Sequence, residues 1–282
     1  MNPILIIARL TFREAARRRI ALAALVLGLA FLAVYNVGLY FMYQDLQNAV
    51  AGQPLEATLN RNIFSFLALA GLYGVNFLTL ALGALLSADT LAGEISSGAI
   101  QSVATKPIPR AAVVLGKWLG FAGMQALYLG LMAGGIVLSM RLQTGYAVPN
   151  LERGWGLIYL TSLLIMTITL FCSSRLSALA TGGIVFGLYG LAFIGGWVEQ
   201  IGAFLNNPTA IDVGIVSSLI IPTEALWRRA AFEMASPLAR ALGLISPFTS
   251  TSVPSPLMVV YAGLYLLAAL GLAIRGFQQR DL

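Results

Sequence analysis

The residue types most used for metal ligation and covalent catalysis are nearly missing from this chain, which has no histidine and one cysteine, Cys172. It offers no ligand set for zinc, haem or an iron–sulfur cluster, and Cys172 reads as a small apolar packer. What is left to do chemistry is charge, and its most ordered cluster is Asp89, Glu94, Gly98, Lys106, Pro107, Pro109, Arg110 and Lys117. Two carboxylates, a glycine that permits a turn, two prolines that forbid helix continuation and a basic restart read as helix, stop, helix. The chemistry of such a run is recognition rather than catalysis. A short amphipathic helix carrying Asp89 and Glu94 fits a groove on a soluble partner and transmits its motion; the plainer reading of Glu94 is a solvated loop carboxylate. Gly116 and Lys117 are followed by Trp118 at the start of an apolar run, so they are not a nucleotide-binding loop, which needs Ser or Thr there and a preceding strand.

Charge recurs in two other patterns. Arg9, Arg13 and Arg17 come every fourth residue and share a helical face, with Leu5, Ala8, Phe12, Ala15 and Ala16 roughly opposite and Leu10 out of pattern. This predicts a helix over residues 1–19 lying in a membrane interface, against the alternative of a solvated basic tail. Later, between Pro222 and Pro237, Glu224 with Arg228 and Arg229 with Glu233 are i,i+4 pairs, and Leu226, Ala230 and Met234 form an apolar line around Trp227, which predicts a helix. The run from Ile211 to Ile221 before it is too short to cross a bilayer and is expected to be re-entrant or to lie flat.

The elements that must position these residues follow from composition. Of 282 residues 59% are hydrophobic and 10% charged, against roughly 25% charged in a soluble domain. Continuous apolar windows at 20–43, 64–88, 111–138, 154–172, 178–197 and 257–274 predict an all-α polytopic membrane protein with six transmembrane helices. A barrel is excluded, because a lipid-facing strand alternates over only about 10 residues. The first window is too long for a cleaved signal peptide, so it is expected to stay attached.

Threading the chain through six spans puts Arg9, Arg13, Arg17, Arg18, Arg19, Lys106, Arg110, Lys117, Arg175, Arg275 and Arg280 on one side. Arg61, Arg141, Arg153, Arg228, Arg229 and Arg240, with most of the acidic residues, fall on the other. By the positive-inside rule the first side is cytoplasmic, with both termini and the 89–110 segment, and 199–256 is an extracytoplasmic helical region. The net charge of +6 is then a result of topology, and no nucleic-acid partner is expected.

Within the spans, Asn36, Asn76, Gln125, Thr161, Thr167 and Thr169 either line a path or bond between helices. No charge lies deep in a span, which argues against an ion-coupled carrier. Gly116 with Gly120, Gly130 with Gly134, and Gly183 with Gly187 are close-packing signatures, within or between protomers. Met124, Met132 and Met140 rotate around the helix and read as core filling.

The run from Ala88 to Arg110, with Asp89, Glu94, Gly98, Lys106, Pro107 and then Gly116 and Lys117, resembles the signature stretch of ABC-2 type permeases, the membrane subunits of a large class of ABC transporters. The family pattern has an acidic residue, a Glu, a Gly-Thr-Leu run, Pro-x-Ser-Arg and Gly-Lys; here Ala99 and Ile100 follow Gly98, and Pro109 stands in place of the Ser. The resemblance extends to the basic amino terminus, similar to the family's elbow helix, to the span count, and to the closing Arg280, Asp281 and Leu282. The branch serving nitrous oxide reductase maturation has the same outline.

The resemblance implies a single transmembrane domain over 1–282 in the plasma membrane, working as a homodimer or with a related permease, among membrane lipids. It binds two copies of a separate cytosolic ATPase, which holds the ATP and Mg; this chain binds no cofactor and has no catalytic residue. Asp89, Glu94, Gly98, Lys106, Pro107, Arg110 and Lys117 become coupling residues. Glu224, Trp227, Arg228, Arg229 and Glu233 become an extracytoplasmic cap or gate. The expected activity is ATP-driven export of an apolar or amphipathic substrate, such as a lipid, peptide or drug-like molecule. The alternative is a mechanical transmitter acting on an extracytoplasmic protein without bulk transport.

Overall fold

The computed structural model describes residues 2–50, 56–90, 93, 109–237, 240 and 252–279. Among these the structure is all-helical. The helices are α1 (Pro3–Arg17), α2 (Arg19–Val50), α3 (Glu56–Ala88), α4 (Arg110–Thr144), α5 (Leu151–Ser173), α6 (Ala178–Phe204), α7 (Pro208–Ile220), α8 (Thr223–Met234) and α9 (Leu257–Gln278). Among the described residues six of them, α2 to α6 and α9, are long and apolar enough to cross a membrane. Each of the apolar windows lies within one helix, which runs further at one or both ends. At about 1.5 Å per residue, the 35-residue α4 measures about 52 Å and outruns a hydrocarbon core of roughly 30 Å.

Local chemistry sets the helix ends. The Asn2 side chain accepts from the Ile4 N–H at 3.1 Å ahead of Pro3, and Asn207 accepts from the Ala210 N–H at 3.3 Å ahead of Pro208. Gly145, at φ 70, ends α4 in the left-handed conformation that closes a helix without a Cβ clash.

Helix α5 is the most buried of the spans and packs on α3, α8 and α9, while α2 is the least buried. The outward side chains of α2, among them Leu22, Val26 and Leu27, are exposed and apolar, as a face against lipid or another apolar chain requires. Met132 and Met140 are fully enclosed in apolar clusters. The polar residues of the spans mostly bond internally. Asn36 accepts from Gln143 at 2.8 Å, Gln125 donates to the Ser162 carbonyl at 3.3 Å, and Thr167 accepts from the Trp118 indole at 2.8 Å. Thr161 and Thr169 bond back to the preceding turn of their own helix. Of the three glycine pairs, only Gly116 and Gly120 are packed within the chain; nothing lies near the Cβ positions of Gly130, Gly134, Gly183 and Gly187.

Helix α1 crosses the first turns of α4. A Cβ on Gly120 would come within 2.7 Å of the Ala8 carbonyl oxygen and of Thr11 Cβ, and one on Gly116 within 2.6 Å of Ile7 Cβ. The face of α1 that packs on protein therefore runs through Ile7, Ala8, Thr11 and Ala15. This corrects the apolar face drawn from sequence, since Leu5 is 63% exposed. A wheel scored by hydrophobicity overlooks Thr11, because its fit against Gly120 is one of shape. Arg9, Arg13 and Arg17 are all exposed on the far side.

Candidate functional site

Two charged regions occupy opposite ends of the bundle. At the first end α3 finishes, α4 starts, α1 crosses and α9 finishes. The Arg110 guanidinium, in the first turn of α4, donates to the Gln278 carbonyl at 2.9 Å and so ties α4 to the end of α9. Lys117 is buried, 6% exposed, beneath α1. Asp89 is exposed just past α3, and its carbonyl accepts from the Gly93 N–H at 2.8 Å, which carries the helical turn onward. Arg175, in the α5–α6 turn, stacks on the Phe171 ring at 5.6 Å and borders Gly276 of α9. Of the coupling residues, Asp89, Arg110 and Lys117 thus share one end. Glu94, Gly98, Lys106 and Pro107 lie outside the described residues.

At the other end, α7 folds back along α6 instead of spanning, and α8 returns at 106° to it. Two glycines allow the close approach. Ser217 occupies the place of a Cβ at Gly195, and Glu199 that of one at Gly214. The pair forms a sharply bent hairpin, the shape of either a broken span or a re-entrant loop, and the second of these is one of the two expectations for the 211–221 run. Its depth is read from Trp227 of α8, wholly buried, whose ring lies 4.9 Å from that of Tyr73. Tyr73 is near the middle of α3, about 22 Å along the axis from Ala88.

The hairpin carries unusual polarity for such depth. Arg228 is 1% exposed and forks onto Glu199 of α6, Nη1 to Oε1 at 2.6 Å and Nη2 to Oε2 at 2.7 Å. Its Nη2 also donates to Ser218 Oγ at 3.3 Å, and Ser252 Oγ donates to Glu199 Oε1 at 2.7 Å. The bidentate geometry offsets much of the cost of removing both charges from water. This corrects the pairing read from sequence, in which Arg228 was matched with Glu224. A helix wheel sees only neighbours on its own helix, whereas Glu199 comes from another.

Glu224 is 2% exposed, with its Oε2 buried and without a hydrogen-bond partner. Its Cγ packs where Gly196 has no side chain. The second pair is as expected. Arg229 meets Glu233 at 2.6 Å, and Arg153 of α5 adds a contact at 3.6 Å. Ser236 anchors the end of α8 to α3 through Ser65 at 3.0 Å and Asn62 at 2.7 Å.

Glu199, Ser252 and Tyr73 were not singled out from sequence as site residues. The available signal was a single Glu two residues past the 178–197 apolar window, three and four residues after Gly196 and Gly195, which leave room for another helix beside it. Among the described residues no set of three acidic or thiol side chains converges on a point that a metal ion would fill.

Six apolar spanning helices with one strongly basic end, and no nucleotide-binding loop anywhere in the sequence, define a multi-pass membrane subunit that has no ATPase site of its own. Compared with known families, residues 5–282 match the one described as ABC-2 family transporter protein. The chain belongs to that family. It is the permease subunit of an ABC transporter, and its partner is an ABC ATPase subunit. No curated protein matches it.

Proposed function

We propose that this permease exports an apolar or amphipathic substrate, of the lipid, peptide or drug-like class, as a homodimer served by two cytosolic ATPase subunits that hold ATP and Mg. In this reading both termini and the 89–110 segment face the cytosol across the plasma membrane, as the distribution of arginine and lysine favours. ATPase closure pushes on the segment from Asp89 through Glu94, Gly98, Lys106 and Pro107 to Arg110. The observation that carries the proposal is the convergence of that segment's two ends with α1 and the end of α9. Displacement between Asp89 and Arg110 passes directly into α3 and α4, and through Arg110 into α9. Arg9, Arg13 and Arg17 hold α1 at the anionic leaflet, each worth about 1 kcal/mol near such a surface.

The substrate class is supported by what the bundle offers. Span polar groups are largely used in internal bonds, while α2, α6 and α9 turn long apolar faces outward. A path for an apolar molecule therefore runs along those faces, between copies, and not through one chain. The test is co-reconstitution with its ABC ATPase subunit, followed by ATP-dependent movement of a fluorescent phospholipid and of an amphipathic dye across proteoliposomes. Movement of either supports export. ATPase turnover with neither moved, together with capture of an extracytoplasmic protein, would instead establish mechanical transmission.

A further inference from the structure

The charge count of the hairpin does not close. Glu199 and Arg228 neutralise each other through a two-bond fork, with the Arg228 side chain 1% and the Glu199 side chain 5% exposed. Glu224, one helical turn from Arg228 and 2% exposed, has no ion pair of its own among the described residues. The described groups around it supply no further cation. From α3 comes Tyr73 and from α6 Tyr189, whose hydroxyls lie together beside the carboxyl. Helix α7 presents Ser218 inward to Arg228 and Asp212 outward to the surface. From α9, Tyr261 donates to the Leu219 carbonyl. Arg153 of α5 and Arg229 of α8 both engage Glu233, and Arg240 donates to the Glu233 and Ala235 carbonyls. Gln200, one turn after Gly196, has its Oε1 buried and unbonded, as is Glu224 Oε2.

A lone carboxylate costs too much in such a place to persist as an anion, and one added proton both cancels the charge and supplies an O–H donor. We propose that Glu224 is a proton-binding site, loaded while the α7–α8 hairpin is seated against α3 and α6, and unloaded to water when the hairpin lifts away, so that closing this end of the permease is linked to proton uptake. The inference stands apart from the export reading, since it concerns the hairpin of the permease alone.

Two measurements on the purified permease in lipid nanodiscs test it. The first is infrared absorption of protonated carboxyl groups at neutral pH, wild type minus Glu224→Gln. A band lost in the variant is expected, and its absence would overturn the proposal. The second is thermal stability against pH. A carboxyl that stays protonated in the folded protein but ionises in the unfolded chain lends stability that is complete below its unfolded value of about 4.3 and is lost as pH climbs above it. The wild-type melting temperature is expected to fall across that rise and that of Glu224→Gln to stay level. A flat wild-type profile overturns the proposal even if the variant fails to fold. Stability at alkaline pH that is restored by sodium chloride but not by choline chloride would overturn it in favour of a metal cation.

Discussion

Removing one partner of a buried ion pair ordinarily costs about 3–5 kcal/mol, because the other charge is stranded. In this permease Glu199→Gln should cost far less. Arg228 has a second carboxylate within reach on its own helix, Glu224, whose Oε2 has no partner. When Glu199 becomes neutral, the guanidinium turns to Glu224, which gives up its proton and becomes the counter-ion. The net loss is then the difference between a two-bond fork at 2.6 and 2.7 Å and a less favourable i,i+4 pair, about 1–2 kcal/mol. Glu224→Gln alone replaces a neutral acid by a neutral amide of the same shape and should change stability by less than about 0.5 kcal/mol at neutral pH. Together the two changes leave Arg228 buried with no anion, and the cost returns to about 3–5 kcal/mol. The excess over the sum, about 2 kcal/mol, is the coupling between the two glutamates. Equilibrium unfolding in mixed micelles, followed by fluorescence of the chain's 4 tryptophans, measures all three variants. Additivity within about 0.5 kcal/mol, or a single Glu199→Gln cost as large as the double, would refute the reasoning.

Trp227→Ala removes the wholly buried ring stacked on Tyr73, and a loss of about 3–5 kcal/mol is expected in the same assay. Gly120→Val places a methyl group against the Ala8 carbonyl and Thr11; α1 should lift from α4 at about 1–3 kcal/mol, seen as faster proteolysis between α1 and α2. Glu94→Ala should leave folding and ATPase binding intact while abolishing substrate stimulation of ATPase turnover, and unchanged stimulation would remove Glu94 from the coupling route.

Membrane spans are legible in sequence because lipid leaves a helix one solution, an unbroken apolar run, and all six runs lie within the spanning helices. The hairpin was legible in outline only. The shortness of its first arm showed that this arm cannot cross alone, and Arg229 with Glu233 showed one face of the second. Its depth could not be read, since it depends on Gly195 and Gly214 meeting across two helices, a property of neither segment alone. The same limit misassigned Arg228. Glu199 takes the guanidinium from α6 through a two-bond fork, whereas Glu224 turns its Cγ into the space left by Gly196. For α1 the pattern gave the basic face and, through Ala8 and Ala15, part of the packing face, but not Ile7 and Thr11, because a glycine-lined helix selects partners by shape and accepts Thr11 as readily as Leu.

The order of the chain bears on how the hairpin is made. Its second arm carries both Glu224 and Arg228, which no apolar segment can take into a membrane unaided, and the groups that satisfy Arg228 come from both sides in sequence: Glu199 earlier, Ser252 later. Until α3 and α6 are inserted and the chain beyond α8 has been synthesised, the arms have nowhere dry to go. The hairpin therefore seats only after α3 and α6 are in place and the chain has been made as far as Ser252, and an insertion intermediate short of that point has this end open to water.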